Sequence, residues 1–326
     1  MRVLAVGDLV QLTDPKGKPH TITLTAGKQY FTHRGSIAHD DLIGGPEGVV
    51  VSTTTGVAHV ALRPLLEDFV LGMPRGATPV YPKDAAAIVG FADVFPGATV
   101  VEAGAGSGAL SCSLLRAVGE HGRVVSIERR PEFAAVARSN VEHFFGAVPP
   151  WWDLRDGDLV DVLPELGPAT VDRVVLDMLA PWECVAVAAD ALVPGGVLCV
   201  YVATTTQLSQ VVETIRAAGC FVEPRSWESM VRTWHVEGLA VRPDHRMIGH
   251  TGFLVTSRRL APGVQAPLRR RRPAPSNTTA MARADGGVLP ISDLVEQPVP
   301  AGPEAATSGA AVSGADSPTG ADDPAG

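Results

Sequence analysis

Residues 100–115, VVEAGAGSGALSCSLL, decide the fold. An apolar, β-branched run meets glycines at 104, 106 and 108, and apolar residues at helical spacing follow. The pattern predicts a strand, a glycine-rich turn and a helix. Such a turn lets backbone N–H groups approach a ligand closely at a helix N-terminus. A second stretch, VVLDMLAPW (174–182), reads as another apolar strand, ending on Asp177. Together the two put a nucleotide-binding turn and a carboxylate at one edge of a parallel sheet.

Outward from this pair, short apolar runs recur at 99–104 (TVVEAG), 123–128 (RVVSIE), 172–177 (DRVVLD) and 196–203 (GVLCVYVA). Segments with apolar residues three and four apart separate them, among them SGALSCSLLRAVG and PEFAAVARSNVEHFFG. Strand and helix patterns in alternation predict a doubly wound, mostly parallel α/β sheet, with ligands at the carboxyl ends of its strands. VEPRSWESMVRTWHV (222–236) and HTGFLVTSRRL (250–260) have little helical pattern between them and are expected to form an antiparallel hairpin at the sheet edge.

Residues 1–63 differ in character. DLVQLT, HTITLT and GVVVST lie between the turn formers DPKGKP and TTTG, which predicts a small β-rich domain. RPLLEDFVLGMPRG (63–76) reads as a helical connector, so the expected division is 1–63, a connector over 64–76, and an α/β domain over 77–262. Residues 263–326 lack apolar periodicity and are expected to be a disordered, low-complexity tail that includes RRRR at 269–272.

Hydrophobic residues make up 45% of the 326, which suits a globular protein with a substantial core. No apolar run reaches the ~18 residues of a membrane span. The first residues lack the order of a signal peptide, so a cytoplasmic location is expected. The four cysteines (112, 184, 199 and 220) have no metal-binding spacing, and the three in apolar segments are expected to be buried thiols. The net charge is −8, and the tail's five Arg and seven acidic residues leave −6 for the rest. Bulk charge therefore opposes polyanion binding, which would require a local basic patch. Arg232, Arg242, Arg246, Arg258 and Arg259 are candidates for one, against a simply solvated face.

The chemistry-bearing candidates follow from position. Gly104, Gly106 and Gly108 suit a nucleotide-like cofactor, and with Ala109 the turn also fits the looser dinucleotide pattern G-x-G-x-x-A. Glu128 ends the next strand and can accept from both ribose hydroxyls; a solvated acid beside Arg129 and Arg130 is the bland alternative. Asp158, with Asp156 as competitor, follows the third strand and can accept from an adenine amino group. Asp177 faces the reactive end of the cofactor, or else caps a helix. Pro181 and Trp182 can wall a flat substrate, and Tyr81 can cover the cofactor or stack on a base; for both aromatics packing is the competing role. Trp151 and Trp152 read as core or interface. His235, His245 and His250 do not have zinc spacing, and no metal is expected.

The stretches THRGSIAHDDLIG, YPKDAAAIV, EAGAGSGALS, VVLDMLAPW, VYVATTTQ and GLAVRPDHRMIGHTGFL together resemble the bacterial tRNA (adenine-58-N1)-methyltransferases, a class I S-adenosylmethionine-dependent family. The resemblance covers residues 7–262, about 80% of the chain. The glycine motif is generic to the superfamily; DMLAPW combined with HRGSIAHDDLIG is far more specific. The resemblance implies that the loop Gly104, Ala105, Gly106, Ser107, Gly108 and Ala109 wraps the methionine part and sugar of the cofactor. It implies that Glu128 holds the ribose, Asp158 reads the adenine and Asp177 is the catalytic residue. It also implies tRNA as substrate and a homotetramer. Other readings stay open. A methyltransferase acting on proteins or small molecules shares the cofactor motifs. A dinucleotide-dependent oxidoreductase would need a hydride-transfer pair, for which there is no candidate. A non-catalytic partner subunit would be expected to lack the glycine loop or Asp177.

Overall fold

The computed structural model describes residues 3–267. The run at 269–272 and nearly all of the expected tail lie outside the described residues.

Six short strands open the chain: β1 (Leu9–Thr13), β2 (Pro19–Thr23), β3 (Gln29–Thr32), β4 (Gly35–Ala38), β5 (Val49–Ser52) and β6 (Ala58–Leu62). They form an antiparallel sheet in the order β2-β1-β6-β5 and a separate β3–β4 hairpin. Leu4, Val10, Leu12, Leu24, Ile37, Leu42 and Ala61 make their own small core. The alternation in β1, where Val10 and Leu12 are buried and Leu9, Gln11 and Thr13 less so, is the period-two signature of a half-covered sheet. Leu9 of this part packs against the core of the main sheet, and Thr23 Oγ1 lies 3.2 Å from a ring nitrogen of His143 in α4.

The connector forms helix α1 (Leu66–Gly72), and α2 (Pro82–Phe91) starts with proline at its first position. The main sheet then alternates with helices: β7 (Thr99–Ala103), α3 (Ala109–Val118), β8 (Arg123–Glu128), α4 (Pro131–Phe145), β9 (Trp152–Asp156), α5 (Leu159–Val162), β10 (Val171–Asp177), α6 (Val185–Ala191), β11 (Leu192–Val202), α7 (Thr205–Ala218), β12 (Arg225–Trp227), β13 (Trp234–Glu237), β14 (Ala240–Pro243) and β15 (Phe253–Arg258). The order is β12-β15-β11-β10-β7-β8-β9, with β7 to β11 parallel and β15 antiparallel to β11. This is the expected doubly wound, mostly parallel sheet behind a small β-rich unit.

Strands buried on both faces read as continuous apolar runs. Val100, Val124, Val175 and Cys199 point to the face covered by α1 to α4. Their neighbours Val101, Val125, Val174, Leu198 and Val200 point to the face covered by α5 to α7. Cys112, Cys184 and Cys199 are buried thiols, and Cys220 is half-buried.

The chain end departs from the expected hairpin. β12 and β15 do pair, but β15 also inserts against β11, because its apolar Leu254 and Val255 complete both cores. The residues between them form a second ribbon, β13–β14, which pairs only with itself. That ribbon leaves Trp234, Val236, Leu239 and Val241 exposed.

No helix among the described residues is long and apolar enough to cross a membrane.

Candidate active site

The strand order reverses between β7 and β10: β8 and β9 continue to one side, β11 and β15 to the other. Ligands of open α/β sheets sit at the carboxyl edge of such a reversal. A cleft of about 420 Å³ opens there, lined by residues from the β7–α3 turn, Glu128, Asp177 and the end of β11.

The glycine turn is held by close approach. A Cβ on Gly104 would stand 2.2 Å from the backbone oxygen of Asp177, at φ +62°. One on Gly108, at φ +79°, would press within 3.1 Å of the Ala137 backbone in α4. Glycine at these positions therefore brings the turn against β10 and α4 at once. Ser107 is buried; its hydroxyl accepts from Gly76 N at 3.1 Å and donates to Ala77 O at 3.1 Å. This fastens residues 76–77 over the turn, and Ala77, Thr78, Pro79 and Val80 become the cleft's near wall. Asn140 in α4 secures both pieces by donating to Pro74 O and Ser107 O, each at 2.9 Å.

Glu128 is 3% exposed, and its carboxylate accepts from Gly106 N (2.9 Å), Arg130 N (3.1 Å) and Arg130 Nε (3.1 Å). A carboxylate has about four acceptor sites, so this one still has capacity toward the cleft. Asp177, half-buried at the end of β10, has its carboxyl pushed up to about 7, first by desolvation and then by the nearby charge of Glu128. A second acid, Glu102, lies wholly buried behind the turn. Its Oε2 accepts from Ser111 Oγ (2.6 Å) and Ser126 Oγ (2.5 Å), while Oε1 has no hydrogen-bond partner among the described residues. Burial pushes its carboxyl up to about 7 as well. Sequence reading quoted Glu102 within the motif and gave it no role; its strand position between two buried neighbours was the available signal.

The sequence candidates divide. Gly104, Ala105, Gly106, Ser107, Ala109, Glu128 and Asp177 line one cleft, and Gly108 caps α3 beside it. Asp158 does not reach the cleft lining; it starts α5, half-exposed, with Arg129 Nη1 3.6 Å away. Pro181 is buried and Trp182 packs against the α5–α7 face, because the chain folds into a 3-10 turn directly after Ala180. Met178 and Leu179 face the cleft in their place. Tyr81 lines a different, apolar cavity of about 910 Å³ between α1, α2 and the 231–248 segment, which shares only Val80 with the cleft. The basic patch does not assemble as one face: Arg258 and Arg259 are spent on the carbonyls of Gly195, Ala189, Cys220 and Leu260, and Arg246 lines the larger cavity. Trp152 is core, its Nε1 donating to Ser126 Oγ at 2.9 Å. Among the described residues no group of three or more His, Cys, Asp or Glu is placed to hold a metal. Sequence reading missed Tyr201 and Thr251, which also line the cleft.

Comparison with known proteins agrees with this geometry. Residues 3–51 match a family model described as TrmI-like N-terminal, and residues 58–243 match one described as tRNA methyltransferase complex GCD14 subunit. The chain is 40% identical over 250 residues to the tRNA (adenine(58)-N(1))-methyltransferase TrmI of Thermus thermophilus, covering 76% of this chain and 95% of that one. A SAM-dependent O-methyltransferase from Thermotoga maritima superposes with a TM-score of 0.74 at 28% identity, covering 83% of this chain and 97% of that one. The tRNA (m1A58) methyltransferase TrmI from Aquifex aeolicus superposes with a TM-score of 0.70 at 25% identity, covering 80% and 100%.

Proposed function

The chain belongs to the GCD14/TrmI family of tRNA methyltransferases, and from that premise we propose that it transfers a methyl group from S-adenosylmethionine to N1 of adenosine 58 in the T-loop of tRNA. One observation carries the reading: a glycine-rich turn, a buried ribose-type acceptor and an acid of raised proton affinity converge on a single cleft at the sheet reversal.

The residues present fit the cofactor. Gly104 and Gly108 seat the turn against β10 and α4 at the edge of the cleft, and Glu128 has acceptor capacity for ribose hydroxyls. When bound, the cofactor supplies a methyl group made electrophilic by its sulfonium. The protein's task is then alignment and charge. Adenine N1 has an in-plane lone pair and needs no strong base. Holding the two reactants in attack geometry is worth ~7 kcal/mol or more. Asp177 accepts a hydrogen bond from the exocyclic amino group, which becomes more acidic as positive charge grows on the ring, and so stabilises that charge. It does this as the carboxylate. The near wall at 77–80 and the exposed Leu179 screen the reacting atoms from water. A stacked and paired base reaches such a cleft only by being flipped out.

The same premise supports a homotetramer acting in the cytoplasm. The β13–β14 ribbon and its exposed apolar residues are a surface of the kind that subunits bury. Light scattering of the purified protein at micromolar concentration should give four chains.

The test of function is methyl transfer from labelled S-adenosylmethionine to unmodified tRNA, with nucleoside analysis of the product. N1-methyladenosine at position 58 is expected. Cofactor binding without incorporation would overturn the tRNA assignment and leave another acceptor to be found.

A further inference from the structure

The chain leaves the main sheet after β12 and returns to it at β15. The excursion between them, Glu228 to Thr251, carries the β13–β14 ribbon. The cavity of about 910 Å³ lies between its residues 231–248 and helices α1 and α2, so the middle of the excursion stands off those helices. Among the described residues, the hydrogen bonds that join it to the rest of the chain gather at its two ends and form two latches.

The inner latch is buried. Asp84, in the first turn of α2, accepts from Ser229 Oγ (2.8 Å), Thr251 Oγ1 (2.5 Å) and Lys83 Nζ (2.7 Å). Lys83 Nζ also donates to Thr251 Oγ1 at 2.6 Å and to Ser229 O at 2.7 Å.

The outer latch is His250, exposed at the surface. Its Nε2 lies 3.1 Å from the carbonyl oxygen of Ala203, directly after β11, and its Nδ1 lies 3.0 Å from Glu228 Oε2. A carbonyl and a carboxylate only accept. A neutral imidazole has one N–H and satisfies one of them, leaving its other nitrogen's lone pair against an oxygen. The imidazolium satisfies both. The groups around the ring agree with that form. Glu228 faces it from its own segment, the Phe253 ring packs from β15 at 4.6 Å between centroids, and Lys83 acts on it from α2. The bond to Glu228, then the one to Ala203, hold its pKa above the ordinary 6.5, against desolvation and the charge of Lys83. Ala203 and Thr251 both line the active cleft, so the latch joins two pieces of one wall.

We propose that His250, as the imidazolium, is a positioning residue that clamps the Glu228–Thr251 excursion to the tip of β11, and that loss of its proton releases this wall of the cleft. The consequence for catalysis rests on the methyl-transfer reading; the clamp itself does not. His250 touches neither reactant. The folded state favours the proton, so the clamp is complete below 6.5 and is lost as pH rises through the higher folded value.

The test compares wild type with His250→Gln and Glu228→Gln. Protein labelled with 13Cε1-histidine is titrated by NMR, the His250 signal being the one missing from His250→Gln. Its midpoint should lie above 6.5 in wild type and move down in Glu228→Gln, which keeps an acceptor and removes the charge. Hydrogen-exchange protection factors over residues 228–251 should fall with rising pH in wild type and stay low and level in His250→Gln. On unmodified tRNA the wild-type kcat/KM should show an alkaline fall. His250→Gln should lose that limb, keep S-adenosylmethionine affinity, and turn over about 3- to 10-fold more slowly at neutral pH, the scale of one hydrogen bond. A His250 midpoint at or below 6.5 overturns the proposal, as does an alkaline limb or a pH-dependent protection that survives in His250→Gln. If that variant does not fold, the shift in Glu228→Gln decides. Absence of N1-methyladenosine from wild type is a different failure: it defeats the methyl-transfer reading, and exchange and titration still decide the clamp.

Discussion

The two walls of the cleft are built in opposite ways. The glycine wall comes from one contiguous stretch, β7 and its turn, with Glu128 added from the adjacent strand; at Gly104 and Gly108 it presses directly on the backbone of β10 and α4. The facing wall is assembled from α2, the end of β11 and residues near 229 and 251, and is held by side-chain hydrogen bonds. A wall made of backbone fails abruptly when altered, and one made of side chains fails by degrees.

Gly104→Ala should break the first wall most severely. Its Cβ collides with the Asp177 carbonyl at 2.2 Å, in a left-handed conformation, so turn and strand must part. Cofactor affinity should fall below detection in calorimetry, and the thermal midpoint should fall with it, as expected of strain at a special backbone position. Retained affinity would show that the two walls are equally tolerant.

Asp177→Asn separates chemistry from binding. Turnover should fall by about 10²- to 10³-fold, the usual cost of losing one charge-stabilising group, with cofactor affinity little changed. Stability should move the other way. In the folded protein this carboxyl sits at about 7, against 3.8 for an unhindered one. The folded state therefore holds a proton that the unfolded chain has lost, and stability declines as pH rises between those values. The Asn variant escapes the decline, so its melting temperature should exceed that of wild type at pH 8 and converge with it near pH 4.

Glu128→Gln is the mildest probe. It should weaken cofactor binding by about tenfold, the scale of one charge-assisted hydrogen bond. It also removes the like charge beside Asp177. With Asp177 acting as the carboxylate, as proposed above, kcat/KM should rise with pH through about 7 in the wild type. The midpoint should move to lower pH in the variant. An unmoved midpoint would mean that burial alone raises Asp177.

The same contrast explains what could be read in the sequence. β8 runs over 123–128 as its apolar pattern predicts, and Asp177 ends its strand as expected, because alternation and glycine placement are local signals. Trp182 looked like a substrate wall because DMLAPW follows a strand; the 3-10 turn at Pro181 carries the indole to the far face instead. Tyr201 lies in an apolar run, where period two says only that it alternates. Its neighbours at the site, Asp84 and Thr251, lie 117 and 50 residues away in sequence, and no local pattern joins them. The insertion of β15 between β11 and β12 is hidden for the same reason: register between distant strands depends on which core has room.

The contact between Gly104 and the Asp177 carbonyl also limits how this scaffold can be re-engineered. A cofactor analogue carrying a bulkier transferable alkyl group would need extra volume near the reacting atoms. None can be made at the glycine turn, because Gly104 already lies against the Asp177 carbonyl. Space has to come from the opposite side, at residues 77–80, which are pinned over the turn by the hydroxyl of Ser107. Shortening Val80 is thus the natural first step toward a labelling enzyme that accepts enlarged donors.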